Sequence, residues 1–369
     1  MSEDTPRTIS IKKYYSSLPN MLSKYDRFAR KDFFQGNTIA EFEAWRVQSR
    51  DTLSKLIGLD KMDRVALEPQ IEETITLDNG IVRQKVLIQS EQDVWIPMYI
   101  LIPPAKSDTS NAKRSVFIAP PGHQGAGKYS IAGMYEIPVV MDAIKKFNYD
   151  YGMLLAKLGF VVLCPDCRGF GERRDEKKQG DSEENFLTSS CFHLAHMAEP
   201  LGETVIGMCT WDLMKIMDYI ETRPEWDADN VSCLGFSGGG MQTLYFSALD
   251  ERVKNVLISG YMYGFKDSLM ILNGNCNCNY VPHLWEHFDM GDIASLIAPR
   301  NFMIQSCKED HLNGPRGLQN VFEQLDIIKK AYRLYNKENR IVHDIHEGGH
   351  CWHDDNLGSI LDKFGIHAY

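Results

Sequence analysis

The sequence predicts an α/β fold: a mostly parallel central sheet with antiparallel N-terminal edge strands, flanking helices and an N-terminal helical extension. Three observations carry that prediction. From Ser115 onward, short apolar runs alternate with helical stretches, the pattern of parallel β-α-β units. Ahead of them, residues 71–102 hold three strand-like runs joined by tight turns. Further on, one serine flanked by glycines, Ser237, stands between a strand-like run and a helix.

Taken in order, residues 1 to about 65 read as helical and amphipathic. Thr38 precedes Glu41 by three residues, a capping-box spacing that starts a helix. The period then changes from helical to alternating. Residues 71–77 and 81–88 form a hairpin about Asp78-Asn79-Gly80, and 94–102 make a third strand ended by Pro103-Pro104. Residues 116–119, 151–158 and 160–164 then read as strand, helix and strand. The expected division is an extension over 1–68 and a catalytic domain over 69–369. The long segments 172–210 and 261–292 should shape a pocket at the carboxyl end of the sheet.

Composition bounds the function. The chain has 369 residues, 43% hydrophobic and 24% charged, which suits a globular protein with a large core. A formal net charge of −10 argues against nucleic acid or an anionic membrane as partner. Met1 to Asn20 shows no apolar h-region, so a signal peptide is not expected, and no run approaches a membrane span. Nine cysteines, an odd number scattered along the chain, fit reduced thiols in the cytoplasm. A homo-oligomer is compatible with all of this.

The chemistry centres on Gly235-Phe236-Ser237-Gly238-Gly239. A strand-like run, residues 230–234, leads in, and a helical run, 240–249, leads out. A serine on so sharp a turn is strained, and a Cβ on its neighbours would clash. The turn pushes Oγ out at the carboxyl end of the sheet. The Gly238 N–H at the helix start can then stabilise an oxyanion. Two later apolar runs, 301–306 and 340–345, are followed by Glu309-Asp310 and by His346-Glu347-Gly348-Gly349-His350. Serine, acid and histidine thus follow in the chain order of a nucleophilic triad on this topology. The histidine takes the serine's proton, and the carboxylate orients the ring.

Four further segments are distinctive. They are Pro120-Pro121-Gly122-His123-Gln124-Gly125, Asp166-Cys167-Arg168-Gly169-Phe170-Gly171, the stretch from Trp211-Asp212 to Trp226-Asp227, and Ile297-Ala298-Pro299-Arg300-Asn301. With them the chain, from about Pro69 to its end, resembles the α/β-hydrolases grouped around dienelactone hydrolases and acetyl xylan esterases. The resemblance implies the α/β-hydrolase fold and a triad of Ser237, Asp310 and His350. It also implies an oxyanion loop at residues 120–125, whose donor to partner Gly238 is taken as the Gln124 N–H. The neighbouring Glu309 is the rival acid, and His353 the rival histidine. His343 alternates along a strand and reads as a strand-face residue. The ring of His123 has a structural alternative, orienting its own loop. Arg168 reads as a buried brace held by backbone carbonyls.

Two metal patterns compete with this reading. His346-Glu347-Gly348-Gly349-His350 spells the zinc-protease string, which needs a helix. Two central glycines cost such a helix about 2 kcal/mol. Cys276, Cys278, His283 and His287 also have ligand chemistry, yet C-x-C is tight for a structural zinc site. The expectation is therefore a packed loop lining the acyl pocket, with no metal and no cofactor. The expected activity is hydrolysis of carboxylic esters through an acyl-enzyme on Ser237. The resemblance points to small, acetyl-type acyl groups on sugars or other alcohols. A carbon–carbon or lactone hydrolase with the same triad is the alternative, and a peptidase is disfavoured because the N-terminal region is too short for a propeller. A non-catalytic binding module would show a degraded triad, and this chain keeps all three members.

Overall fold

The computed structural model describes residues 11, 13–105, 113–180 and 182–368. The helix expected over the first residues lies, for 1–10 and 12, outside the described residues. Nine strands form one sheet: β1 (Gln70–Thr76), β2 (Val82–Glu91), β3 (Val94–Ile102), β4 (Val116–Ile118), β5 (Val161–Pro165), β6 (Val231–Phe236), β7 (Val253–Ser259), β8 (Asn301–Cys307) and β9 (Ile341–His346). Their order is β1-β2-β3-β5-β4-β6-β7-β8-β9. The first three strands run antiparallel, and β3 meets β5 antiparallel. From β5 to β9 every pairing is parallel.

The burial of each strand follows from that order. The central strands β4, β5 and β6 are buried along their whole length. Helices cover both faces of a parallel sheet, so these strands need continuous apolar runs. The edge strand β1 is exposed throughout and carries Glu72 and Glu73, charges that discourage edge pairing. Its turn closes with Gly80 at φ 79° and the Leu77 N–H donating to Ile81 O at 2.9 Å.

The N-terminal helix Ile39–Leu56 starts as its sequence predicts. The Thr38 side chain accepts from the Glu41 N–H, and Glu41 reaches back to the Thr38 N–H at 3.0 Å. This helix shares the main core: Phe42, Leu53 and Ile57 are fully buried in the same cluster as Val256 and Ile304. Arg46 and Arg50 donate to the carbonyls of Ala298, Ala248 and Leu296, near the carboxyl ends of the helices Gly238–Leu249 and Met290–Ser295. Those carbonyls lack intrahelical partners, and cationic side chains suit them.

Two boundaries differ from expectation. The helix after Ser237 begins at Gly238, because the elbow turns directly into it. The last helix begins at Leu357, four residues beyond His353. The intervening segment is held by side chains of the sheet. The His353 N–H donates to Gln305 Oε1 at 3.0 Å, and Asn356 Nδ2 donates to Asp344 Oδ1 at 2.7 Å.

Candidate active site

Ser237 sits between β6 and the helix Gly238–Leu249 at φ 57°, ψ −121°. This conformation is costly for a non-glycine residue, about 1–3 kcal/mol, and persists only where neighbours enforce it. The Ser237 N–H donates to Ser259 O at 2.8 Å, and its carbonyl accepts from the Met241 N–H at 3.0 Å. The glycines around it are needed sterically. A Cβ on Gly235 would lie 2.2 Å from Gly239 O, and one on Gly239 would lie 2.2 Å from Pro120 O.

Asp310 and His350 stand on the loops that leave β8 and β9. Asp310 Oδ2 lies 2.7 Å from His350 Nδ1, and Oδ1 accepts from the Leu312 N–H at 2.9 Å. Asp310 is buried, whereas Glu309 is exposed and uses only its backbone N–H, toward Gly348 O at 2.9 Å. The structure therefore brings Asp310, not its neighbour, to the ring. The His350 ring packs on Phe236 with centroids 4.5 Å apart. With Nδ1 engaged, Nε2 is the nitrogen left to exchange a proton. His353 stacks on His346 instead, at 4.3 Å. His343 is a strand-face residue whose Nε2 lies 3.2 Å from Ser306 Oγ.

Ser237, Gly238, Gln124 and His350 line one cavity of about 770 Å³. Lys178, Leu187, Thr188 and Ser189 form part of its lining. Gln124 has φ 61°. Among the described residues, neither the Gln124 nor the Gly238 N–H is committed to an intramolecular hydrogen bond. Both amides are available to a developing oxyanion. The loop before Gln124 is pinned from several sides. Gln242 Nε2 donates to Pro121 O at 2.9 Å, Tyr151 to Pro120 O, and Tyr149 to His123 O.

Tyr149 was not evident in the sequence. Its hydroxyl also lies in reach of the Ser237 hydroxyl, and burial pushes its phenol well above the ordinary range. The phenol therefore stays neutral and donates to the loop. Arg168 is a brace, but its partners are carboxylates rather than the expected backbone carbonyls: Glu91, and Asp212 at 3.1 and 3.2 Å. A buried guanidinium needs countercharge, which carbonyls alone do not supply. Arg173 joins it on Asp212 at 2.6 Å. Burial raises the Asp212 carboxyl, but the two guanidiniums outweigh burial and hold it below its ordinary range. A second buried pair, Lys128–Asp166 at 2.6 Å, anchors the helical turn after the oxyanion loop.

Neither of the two metal patterns that competed with the triad reading brings its own residues together. His346 ends β9 and contacts Asp344 at 2.7 Å, while His350 contacts Asp310, so the two histidines share no site. His283 pairs with Glu286 at 2.8 Å and His287 with Asp32 at 2.6 Å, not with the cysteines. Cys276 and Cys278 instead meet His123 and Cys191. Among the described residues, no helix is long and apolar enough to cross a membrane.

Residues 146–272 match a family model described as the alpha/beta hydrolase fold. YtaP of Bacillus subtilis (strain 168), which carries a provisional hydrolase name, is 29% identical over 285 residues, spanning 77% of this chain and 87% of that protein. A Bacteroides fragilis NCTC 9343 protein, provisionally named an acetyl xylan esterase, superposes with a TM-score of 0.71 at 15% identity, covering 90% of this chain and 83% of its own. A glucuronoyl esterase from Solibacter usitatus superposes with a TM-score of 0.59 at 13% identity, covering 92% and 96%. Sheet order, the family-model match and the superposition agree that the chain has the α/β-hydrolase fold.

Proposed function

We propose that this protein is a serine hydrolase of carboxylic esters. The observation that carries the reading is the Asp310–His350 contact at 2.7 Å beside the strained Ser237, in one cavity with two uncommitted amides. Ser237 Oγ attacks the ester carbonyl while His350 takes its proton. Asp310 holds the Nδ1–H and stabilises the imidazolium. The Gly238 and Gln124 N–H groups receive the oxyanion. Collapse expels the alcohol, protonated by His350, and leaves an acyl-serine. Water, deprotonated by His350, then releases the acid and restores Ser237.

The names of the similar structures, acetyl xylan esterase and glucuronoyl esterase, support an ester of a carbohydrate or related alcohol as substrate. Within that class a small acyl group, such as acetyl, is the proposed acid half. The test uses purified protein, a fluorophosphonate label and esters of graded acyl length, acetylated sugars included. Labelling should fall on Ser237, and short acyl esters should turn over fastest. Ser237→Ala should abolish labelling and lower turnover by roughly a thousandfold or more. Near-normal turnover by pure Ser237→Ala protein would overturn the mechanism.

A further inference from the structure

His123 and Cys276 line the cavity, and with two buried cysteines they form a group of four that the ester chemistry leaves without a role. His123, Cys191, Cys276 and Cys278 each offer one ligand atom, and all four atoms lie within 4.8 Å of one another. His123 Nε2 is 3.2 Å from Cys278 Sγ. Among the described residues all nine cysteines are free thiols. Cys191 is fully buried and Cys278 nearly so.

These residues come from three separate segments. His123 is on the loop after β4, Cys191 opens the helix Cys191–Ala198, and Cys276 and Cys278 flank a single turn at Asn277. Four ligand atoms about a tetrahedral zinc, with bonds of about 2.0–2.3 Å, are roughly 3.5–3.8 Å apart. The observed separations, 3.2 Å for His123 Nε2–Cys278 Sγ and all within 4.8 Å, bracket that spacing.

We propose that His123, Cys191, Cys276 and Cys278 bind one zinc ion as a closed structural site. With three thiolates and one imidazole the coordination is complete, so the ion has no open position for water or substrate. Its role is positional. A Cβ on Gly238 would lie 2.5 Å from His123 Nδ1, so the ring that binds through Nε2 stands against the elbow with its other edge. The ion ties the oxyanion loop, the helix Cys191–Ala198 and the Cys276–Cys278 turn into one wall. Zinc binding releases the thiol protons to solvent and involves no redox change.

The test reads metal, not ester turnover, so its outcome is independent of the proposed hydrolase activity. Full-length protein, prepared reduced and without metal-affinity capture, should contain about one zinc per chain by elemental analysis. Cys191→Ser and Cys278→Ser should lower the content at least about fivefold, while Cys351→Ser should keep it. If those variants fold poorly, the unmutated chain decides the matter by replacement of its metal with cobalt(II). A thiolate-to-cobalt charge-transfer band with strong tetrahedral d–d absorption is expected. Three results would overturn the site: zinc-free native protein that takes up no added zinc, a weak octahedral cobalt spectrum, or a disulfide among the three cysteines by mass spectrometry.

Discussion

At one wall of the cavity, Ser237, Asp310 and His350 lie within a few residues of a strand's end; at another, His123, Cys191 and the Cys276–Cys278 turn are brought in by connections of very different length. The first wall takes its geometry from the sheet. Strands β6, β8 and β9 are held in register by their neighbours, and each loop needs only a few residues to place its side chain. The second wall has no such scaffold. Its parts are fixed by contacts with one another: the Tyr149 hydroxyl, the Gln242 amide and the thiol–imidazole cluster. A site built on regular elements is positioned by the fold, whereas one built on loops must supply its own restraints.

The sharpest way to probe the first wall is its acid. Asp310 is buried against the ring, and Glu309 is exposed beside it. Adjacent side chains at the end of a strand diverge, so only one carboxylate can meet His350 Nδ1. Asp310→Asn is expected to reduce kcat by roughly two to four orders of magnitude, and Glu309→Gln by less than about tenfold. Steady-state kinetics on any ester the protein cleaves decides between them. Equal losses would mean that charge near the ring matters and the 2.7 Å contact does not.

A buried charge network away from the cavity lining offers a second probe. Arg168 lies between Glu91 and Asp212 in a buried network, and Arg173 shares Asp212. Replacing Arg168 with Met leaves buried carboxylates short of countercharge. The expected loss is about 3–5 kcal/mol of stability, seen as a lower urea midpoint with an unchanged slope. The retained Arg173 contact places the value toward the lower end. A loss under about 1 kcal/mol would show that water or rearrangement compensates, as at a surface pair.

The same contrast explains what could be read from the sequence. The strained turn at Ser237 and the placing of Asp310 and His350 after strands were legible because local rules govern them: glycines around a sharp turn, and polar residues just after apolar runs. The antiparallel edge was legible from Asp78-Asn79-Gly80 and the alternating runs beside it. The carboxylates around Arg168 were not, since Glu91 and Asp212 are 77 and 44 residues away in sequence. The cysteine cluster was hidden for a similar reason. Cys276 and Cys278 suggested nearby His283 and His287 as companions, but those rings turn to Glu286 and Asp32. The actual companions, Cys191 and His123, lie on segments whose approach only the folded sheet determines.

The smallest expected effect tests whether the two walls are coupled. Tyr149 donates to His123 O and stands near the Ser237 hydroxyl, so it touches both sides. Tyr149→Phe removes one hydrogen bond from the oxyanion loop and leaves a carbonyl to find another donor. Such a loss is worth about 1–2 kcal/mol, which corresponds to a fall in kcat/KM of about tenfold. The loop keeps its Tyr151 and Gln242 contacts, and the His123 ring keeps its thiols. If the cluster and Tyr149 restrain the same loop, combining Tyr149→Phe with Cys278→Ser should lower kcat/KM by more than the product of the single effects, because each restraint covers for the other. Multiplicative losses would mean that the loop is held by two independent contacts. A thousandfold loss from Tyr149→Phe alone would place the phenol in the chemistry of Ser237 rather than in the support of its oxyanion loop.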